Sequence, residues 1–351
     1  MKSGRDPREV LLTFAIPGPA DECRPVGGGH INETWRAGSW ILQRLNPHVF
    51  PDGRAVMENV RAVTQRLSEQ PGVPGGLRLV PTRDGRWWHE APDGALWRVF
   101  PFVSGQTFEI APTPAHAEGA AHAFGEFARS MSDLPFPLHT TLPGFHDTRL
   151  RLAALEKAAG RNAAGRAADV NAEIEAMLAE RGVAEVIPAL LESGELPLRV
   201  AHNDAKIANV IFEPGTATPL VVIDFDTTMP GSPLYDFGDL VRSMVSEAPE
   251  DAADPGTARI RFDYFTSIVR GFLAGTGGLL TSDERALLVT AARAIALEQA
   301  ARFLTDHLDG DRYYTVTSPG QNGSRARAQL ALFRALTADS ARLESIVAET
   351  S

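Results

Sequence analysis

His202-Asn203-Asp204-Ala205-Lys206-Ile207-Ala208-Asn209, followed by Val221-Val222-Ile223-Asp224-Phe225-Asp226, is the stretch on which the reading of this chain turns. It sets a carboxylate, an ammonium, an amide and a second carboxylate in the order that kinase-type phosphoryl transfer uses. In that chemistry Asp204 orients an attacking hydroxyl and Lys206 meets the transferring phosphate, while Asn209 and Asp224 hold Mg²⁺. The cofactors implied are ATP and Mg²⁺.

The spacing also suggests how the metal ligands meet. Asn209 opens the run Asn-Val-Ile-Phe-Glu, and Pro219 to Phe225 is a second run rich in β-branched and aromatic residues. Pro214-Gly215-Thr216-Ala217-Thr218 between them is a turn-forming cluster. A hairpin centred between Thr216 and Ala217 sets Asn209 opposite Asp224, beside the loop that carries Asp204. Mg²⁺ takes oxygen ligands, keeps several waters and completes its shell with phosphate oxygens. One amide and one carboxylate therefore suffice for a metal that arrives with ATP. Taken singly, Asp204 and Asn209 read as turn or cap residues. Lys206 changes that balance, because Lys and Arg total 34 and the only lysines are Lys2, Lys157 and Lys206.

Two nearby patterns compete. Asp224-Phe225-Asp226-Thr227-Thr228 fits the D-x-D-x-T of phosphatases with a nucleophilic aspartate. That chemistry needs a doubly wound parallel sheet and a later lysine, and no lysine follows Lys206. Asp236-Phe237-Gly238 spells the D-F-G of protein kinases but follows a proline-containing loop rather than a β-run. Asp236 is expected instead to accept backbone N–H bonds and steady the catalytic loop. Asp226 reads equally as a second metal ligand or as a hydrogen-bond acceptor.

Length and composition bound the rest. A chain of 351 residues can bury a large core and form two lobes. A net charge of −10 argues against a nucleic-acid partner, which needs a basic face. The single cysteine, Cys23, excludes an internal disulfide framework and suits a reducing cytoplasm. No run approaches the ~18–20 apolar residues of a membrane span. Asp6 and Glu9 flanking Arg5 and Arg8 do not make a signal peptide. The histidines are scattered without H-E-x-x-H or a Cys/His cluster, so no zinc site is expected. Nothing in the sequence specifies an oligomeric state.

Residues 1–103 read as a strand-rich nucleotide-covering lobe with one helix. Gly27 to Trp35 forms a glycine-rich turn leading into a strand, and Trp40 to Leu45 a second strand. Glycines let backbone N–H groups approach phosphates, which makes Gly28, Gly29 and Asn32 candidate nucleotide contacts. Asp52 to Leu67 has helical spacing at Val56, Val60, Val63 and Leu67. Kinases pair a glutamate on this helix, here Glu58, with a strand lysine. This lobe has no lysine beyond Lys2, so Arg44 is the substitute candidate for the ATP phosphates. Leu96 to Val103 is an apolar strand passing into an irregular hinge, placing Phe100 and Phe102 in the segment whose backbone would meet adenine.

Residues 104–351 read as a helical lobe with the catalytic loop and acceptor site. Thr113-Pro114 looks like an N-cap followed by proline at the first helical position. Thr281-Ser282-Asp283-Glu284 reads as a capping box opening a helix to about His307. Ser246 to Thr257 and Thr317 to Ser324 read as loops.

These residues resemble the aminoglycoside phosphotransferase-like kinases, which share the two-lobed protein-kinase fold: α+β, with a small β-rich N-lobe and a larger helical C-lobe. The likeness is carried by His202 to Asn209 and by Asp224 followed by Gly231-Ser232-Pro233-Leu234-Tyr235-Asp236. More narrowly, the chain is similar to the N-acetylhexosamine 1-kinases in Gly27 to Thr34, Ile41 to Asn46, Met57-Glu58-Asn59, Ile223 to Gly231, Phe303 to Leu308, Gly310-Asp311 and Tyr313-Tyr314. The resemblance implies transfer of the ATP γ-phosphate to the anomeric hydroxyl of N-acetylglucosamine or N-acetylgalactosamine. Asp204 would receive or orient the hydroxyl proton. Arg149, Arg302, Asp306, Tyr313 and Arg325 are candidates for gripping that sugar. Ser318 to Gly323 departs from the group's pattern and points to a different sugar rim.

Two alternatives remain at this stage. One is another small-molecule hydroxyl kinase, acting on an aminoglycoside, choline, homoserine or thioribose. The other is a non-catalytic nucleotide-binding pseudokinase, whose support is the missing strand lysine.

Overall fold

A computed structural model of the chain describes residues 6–17, 23–27, 31–69, 77–134, 137–247 and 258–350. Chain packing divides it into two units that interleave in sequence. The first comprises Met1–Gln106, Asp133–Pro143 and Ile211–Pro230; the second comprises Thr107–Ser132, Gly144–Val210 and Gly231–Ser351. Among the described residues, no helix is long and apolar enough to cross a membrane.

The first unit is built on a five-stranded sheet in the order β1-β2-β3-β5-β4. Its strands are β1 (Cys23–Pro25), β2 (Glu33–Ala37), β3 (Trp40–Arg44), β4 (His89–Glu90) and β5 (Leu96–Pro101). Every pairing is antiparallel, with Trp35 opposite Leu42 and Leu42 opposite Val99. A doubly wound parallel sheet, which the phosphatase reading needed, is therefore not what this region builds. Leu42, Trp97 and Val99 bury one sheet face with Val10, Leu11 and Phe14. Val10 and Leu11 belong to α1 (Pro7–Leu11), a helix additional to the one expected, which Asp6 caps by accepting from the Arg8 N–H. A capping aspartate followed by proline at the first helical position was its sequence signal.

The helix expected at Asp52–Leu67 is α2, Gly53–Glu69, and it buries Val56, Met57, Val60, Val63 and Leu67. Strands β7 (Val210–Phe212) and β8 (Pro219–Val222) pair as a separate two-stranded sheet. The Glu213 N–H donates to the Thr218 carbonyl at 3.0 Å, which centres the turn between Gly215 and Thr216. That is one position earlier than the spacing suggested. Gly215 takes φ +76°, a left-handed position that glycine adopts without a Cβ penalty.

The second unit is helical: α3 (Pro114–Ser130), α4 (Thr148–Arg161), α5 (Asn171–Ala179), α6 (Arg181–Ser193), α7 (Pro233–Met244), α8 (Phe262–Thr276), α9 (Ser282–Ala286), α10 (Leu288–Asp309), α11 (Gln321–Ala338) and α12 (Ser340–Glu349). Strand β6 (Arg199–Ala201) precedes the loop that begins at His202. Thr113 caps α3 with Pro114 at its first turn, as its sequence suggests. The Thr281/Glu284 capping box is present, but the helix it opens breaks at Leu287 into α9 and α10. Helix α11 starts at Gln321, inside the stretch read as a loop to Ser324, because Gly320 at φ +83° forms its entry. The contact of α3 with α8 depends on glycines. A Cβ on Gly271 would stand 2.2 Å from the Glu118 carbonyl oxygen, and one on Gly275 would stand 2.2 Å from that of His122.

Candidate active site

In the second unit, β6 delivers the chain into the candidate catalytic loop at His202. The His202 ring is fully buried, edge-on to Phe124 and Phe127 of α3 at centroid distances of 5.1 and 5.4 Å. The His202 and Asn203 N–H groups donate to the two oxygens of Asp236, at 2.9 and 2.7 Å. This is the loop-steadying role the sequence suggested for the aspartate of the D-F-G triplet. Burial pushes the Asp236 carboxyl up to about 7, although the two N–H groups and the His146 charge favour its anion. Asn203 adopts φ +64°, a left-handed conformation that Asn tolerates better than most residues.

That turn presents Asp204. Its carboxylate accepts from Lys206 Nζ at 2.9 and 3.1 Å and from Asn209 Nδ2 at 2.8 Å. Burial favours the neutral acid, but the Lys206 charge and hydrogen bonds, with His202 and Asn209, outweigh it and hold the carboxyl below its ordinary range. Asp204 is thus an ionised acceptor at neutral pH. Asn209 Nδ2 also donates to the Asp204 carbonyl at 2.8 Å, so the amide oxygen is the atom Asn209 has to offer a hard cation. A cavity of about 170 Å³ adjoins this loop, lined by Lys206, Arg242, Ser243, Arg261, Gln329 and Leu332 among others.

The first unit holds the other half of the motif. Asp224 follows β8, is exposed, and takes φ +67°. An exposed carboxylate in a left-handed turn is a suitable oxygen donor for Mg²⁺, so the donor types at Asn209 and Asp224 both fit that ion. Asp226 is different. It is buried, one oxygen accepting from Asn32 Nδ2 at 2.6 Å and the other from Arg98. Both Asp226 oxygens thus accept hydrogen bonds from within the first unit.

Asn32 uses its amide on both sides, its oxygen accepting the Asn46 N–H at 3.0 Å. It therefore ties the residue before β2 to Asn46 and to the segment after Asp224. Gly28 and Gly29 lie outside the described residues. Arg44 pairs with Glu33 at 3.3 Å. Its Nε is buried without a hydrogen-bond partner among the described residues. Glu58 pairs with His139 at 2.7 Å rather than with a strand cation. Phe100 is buried, and the Phe102 ring lies beneath the Arg36 guanidinium at 3.6 Å. The Phe102 N–H donates to the Ser39 carbonyl at 2.7 Å, so that group is already engaged within the first unit.

Residues 22–266 match the phosphotransferase enzyme family. The chain belongs to that family. Solved structures agree on the fold. An aminoglycoside phosphotransferase from Alicyclobacillus acidocaldarius is 16% identical with a TM-score of 0.60, over 99% of this chain and 98% of that one. A choline/ethanolamine kinase family protein from Mesorhizobium loti is 18% identical with a TM-score of 0.55, over 97% of each chain. An amicoumacin kinase, solved with AMP-PNP and Ca²⁺, is 12% identical with a TM-score of 0.59, over 93% of this chain and 92% of that one. The fold of this phosphotransferase is thus the two-lobed α+β kinase-like one, with a small β-rich part and a larger helical part.

The acceptor candidates of this phosphotransferase sit in varied surroundings. Arg149 bonds Asp147, Glu185 and Glu192. Asp306 accepts the backbone N–H groups of Arg312, Tyr313 and Tyr314 and the Asn322 amide, at 2.8–2.9 Å, so it organises that loop. Arg325 donates to the Thr315 carbonyl at 3.0 Å, and Tyr313 is exposed. The Arg302 guanidinium lies 5.3 Å from the Phe145 ring and 5.9 Å from the Tyr314 ring, and 3.7 Å from Glu298.

Sequence reading passed over three residues: Arg98, His146 and Glu298. Arg98 did carry a signal, being a lone charge inside the apolar run Leu96–Phe102. His146 and Glu298 had none.

Proposed function

We propose that this protein transfers the γ-phosphate of ATP to the anomeric hydroxyl of an N-acetylhexosamine, yielding ADP and the sugar 1-phosphate, in the cytoplasm. The observation that carries the reading is the Asp204 carboxylate, kept ionised and held in place by Lys206 Nζ and Asn209 Nδ2 at 2.8–3.1 Å. Such an acid can orient a sugar hydroxyl and receive its proton as the O–P bond forms. Phosphoryl transfer has a loose transition state, so positioning and charge neutralisation matter more than base strength. Lys206 is suited to the transferring phosphoryl oxygens. Magnesium, held through the oxygens of Asn209 and Asp224, would supply charge neutralisation on the phosphates. Asn32, Arg44 and the turn at Gly28 and Gly29 would lie over the nucleotide, with Phe100 and Phe102 in the hinge. The acceptor assignment rests on likeness in sequence, with Arg149, Arg302, Asp306, Tyr313 and Arg325 as the proposed sugar-binding set.

An acceptor screen with Mg-ATP, read as ADP release, tests this. Turnover of N-acetylglucosamine or N-acetylgalactosamine to an acid-labile 1-phosphate supports it. Turnover confined to aminoglycosides or choline would replace the sugar by an amine-bearing alcohol. Nucleotide binding without turnover of any acceptor would make the protein a pseudokinase.

A further inference from the structure

His146, just before α4, is buried and bridges two elements of the second unit. Its Nε2 lies 3.1 Å from the carbonyl oxygen of Asn203, and its Nδ1 lies 3.1 and 3.3 Å from the two oxygens of Glu298 on α10. A carbonyl oxygen can only accept, and so can an ionised carboxylate. Burial disfavours the Glu298 anion, but the His146 charge and hydrogen bond, with Arg302 and Arg151, outweigh it and hold the carboxyl below its ordinary range. Each ring nitrogen thus faces an acceptor and carries a hydrogen, which makes the ring an imidazolium beside a carboxylate.

We propose that His146 is a positioning residue for phosphoryl transfer, an imidazolium held by Glu298 that grips the Asn203 carbonyl and so fixes the turn presenting Asp204. The proposal rests on the kinase reading of Asp204. Asn203 has a left-handed backbone at φ +64°, a strained conformation that persists only where surroundings over-determine it. Asp236 holds the N–H side of the turn through His202 and Asn203. His146 holds the carbonyl side, one bond from Asp204. Neither clamp touches substrate; together they define where the carboxylate points.

The groups facing the ring are few. Glu298 and Arg302 approach from α10, with Arg302 3.7 Å from Glu298. Asp236, Asp239 and the Tyr235 ring, 5.1 Å away, approach from α7. Burial disfavours the charged ring, but the Glu298 charge and hydrogen bond, aided by Asp239, outweigh it and leave the histidine above its ordinary pKa.

Two isosteric variants separate the two bonds. In H146Q the amide nitrogen can occupy the Nε2 position and keep the Asn203 bond. In H146N it can occupy the Nδ1 position and keep only the Glu298 bond. Steady-state kinetics with Mg-ATP and N-acetylglucosamine should show kcat of H146N down about 100-fold, as expected when a reacting group is misplaced by about 1 Å. H146Q should stay within about tenfold of wild type, and KM for ATP should hold in both. Equal losses in the two variants, no loss in H146N, or a change confined to KM overturns the proposal.

Proton NMR of the full-length wild type at neutral pH is a second reading, with the signals assigned by their disappearance in H146Q, or in H146N if H146Q does not fold. Two exchange-protected ring N–H signals are expected from His146, and a neutral ring overturns the clamp. If the wild type turns over no acceptor, the proposed function fails. The NMR result still decides the clamp.

Discussion

Arg98 and Asp226 form an ion pair in the first unit in which each side chain is only 3% exposed. Arg98 also donates from Nε to Gln43 Oε1 at 3.0 Å, while the second Asp226 oxygen takes the Asn32 amide. Among the described residues, this buried cation of the first unit thus sits on β5 and faces the segment after Asp224, while β3 carries no lysine to face the glutamate of α2. The network joins β3, β5, Asn32 and the segment after Asp224, with the ion pair buried at its centre and Gln43 and Asn32 half-buried at its ends.

Removing one partner of such a pair leaves an unpaired buried charge. Arg98→Met should cost about 3–5 kcal/mol of unfolding free energy, and D226N a comparable part of it. The double variant Arg98→Met with Asp226→Leu should recover much of the loss, since an apolar pair of similar volume needs no desolvation of charge. Urea unfolding of the three variants measures this; additive losses would show that the two residues do not act as a pair.

Asp204→Asn should lower kcat by ~10²–10⁴-fold, the usual range for a positioned proton acceptor, while circular dichroism stays that of the wild type. Because Lys206 and its neighbours keep the wild-type carboxyl below its ordinary range, its protonation should not limit the rate between about pH 5 and 8. An acid limb near neutrality that disappears in the variant would contradict this assignment.

The charged His146 adds a pH dependence to stability. Its folded pKa is raised, so its contribution is fully present below the unfolded value near ~6.5 and is lost as pH rises through the folded one. Wild type should therefore lose more stability than H146Q on the alkaline side, by up to ~1.4 kcal/mol for each pH unit within that window. Denaturant unfolding of both proteins at acid, neutral and alkaline pH gives the slopes; parallel curves would mean that His146 is neutral in the fold.

Gly271→Ala should destabilise the second unit by ~1–3 kcal/mol, as overpacking does. The new methyl would stand 2.2 Å from the Glu118 carbonyl oxygen, and backbone of α3 cannot step aside as a flexible side-chain end would. Thermal unfolding measures it. Gly160→Ala, also on a helix but with open space around its Cβ position, should be neutral or stabilising because alanine favours helix.

The loop-and-hairpin motif, the Thr113 cap and the Thr281/Glu284 capping box were legible in the chain itself, because each is made by residues a few positions apart whose chemistry is local. Asp236 was legible too, as an acceptor of backbone N–H groups, because its D-F-G triplet follows a proline-containing loop rather than a β-run. The hairpin turn fell one position earlier than its spacing suggested, since Gly215 rather than the sequence midpoint decides which residue goes left-handed. Helix α11 likewise began where Gly320 could supply an entry, inside a stretch that composition alone reads as loop.

What the sequence by itself determined was the chemistry: an acid, an ammonium, an amide and a second acid in phosphotransfer order, in a chain of the phosphotransferase enzyme family. What only the tertiary structure decided was which remaining charges are buried and against what. Arg98 and Asp226 lie 128 positions apart, and His146 and Glu298 lie 152 apart. Propensity and capping act over a few residues, so they cannot bring such pairs together. The state of a buried charge is set by whatever packs over it, and that is fixed only when the chain has folded.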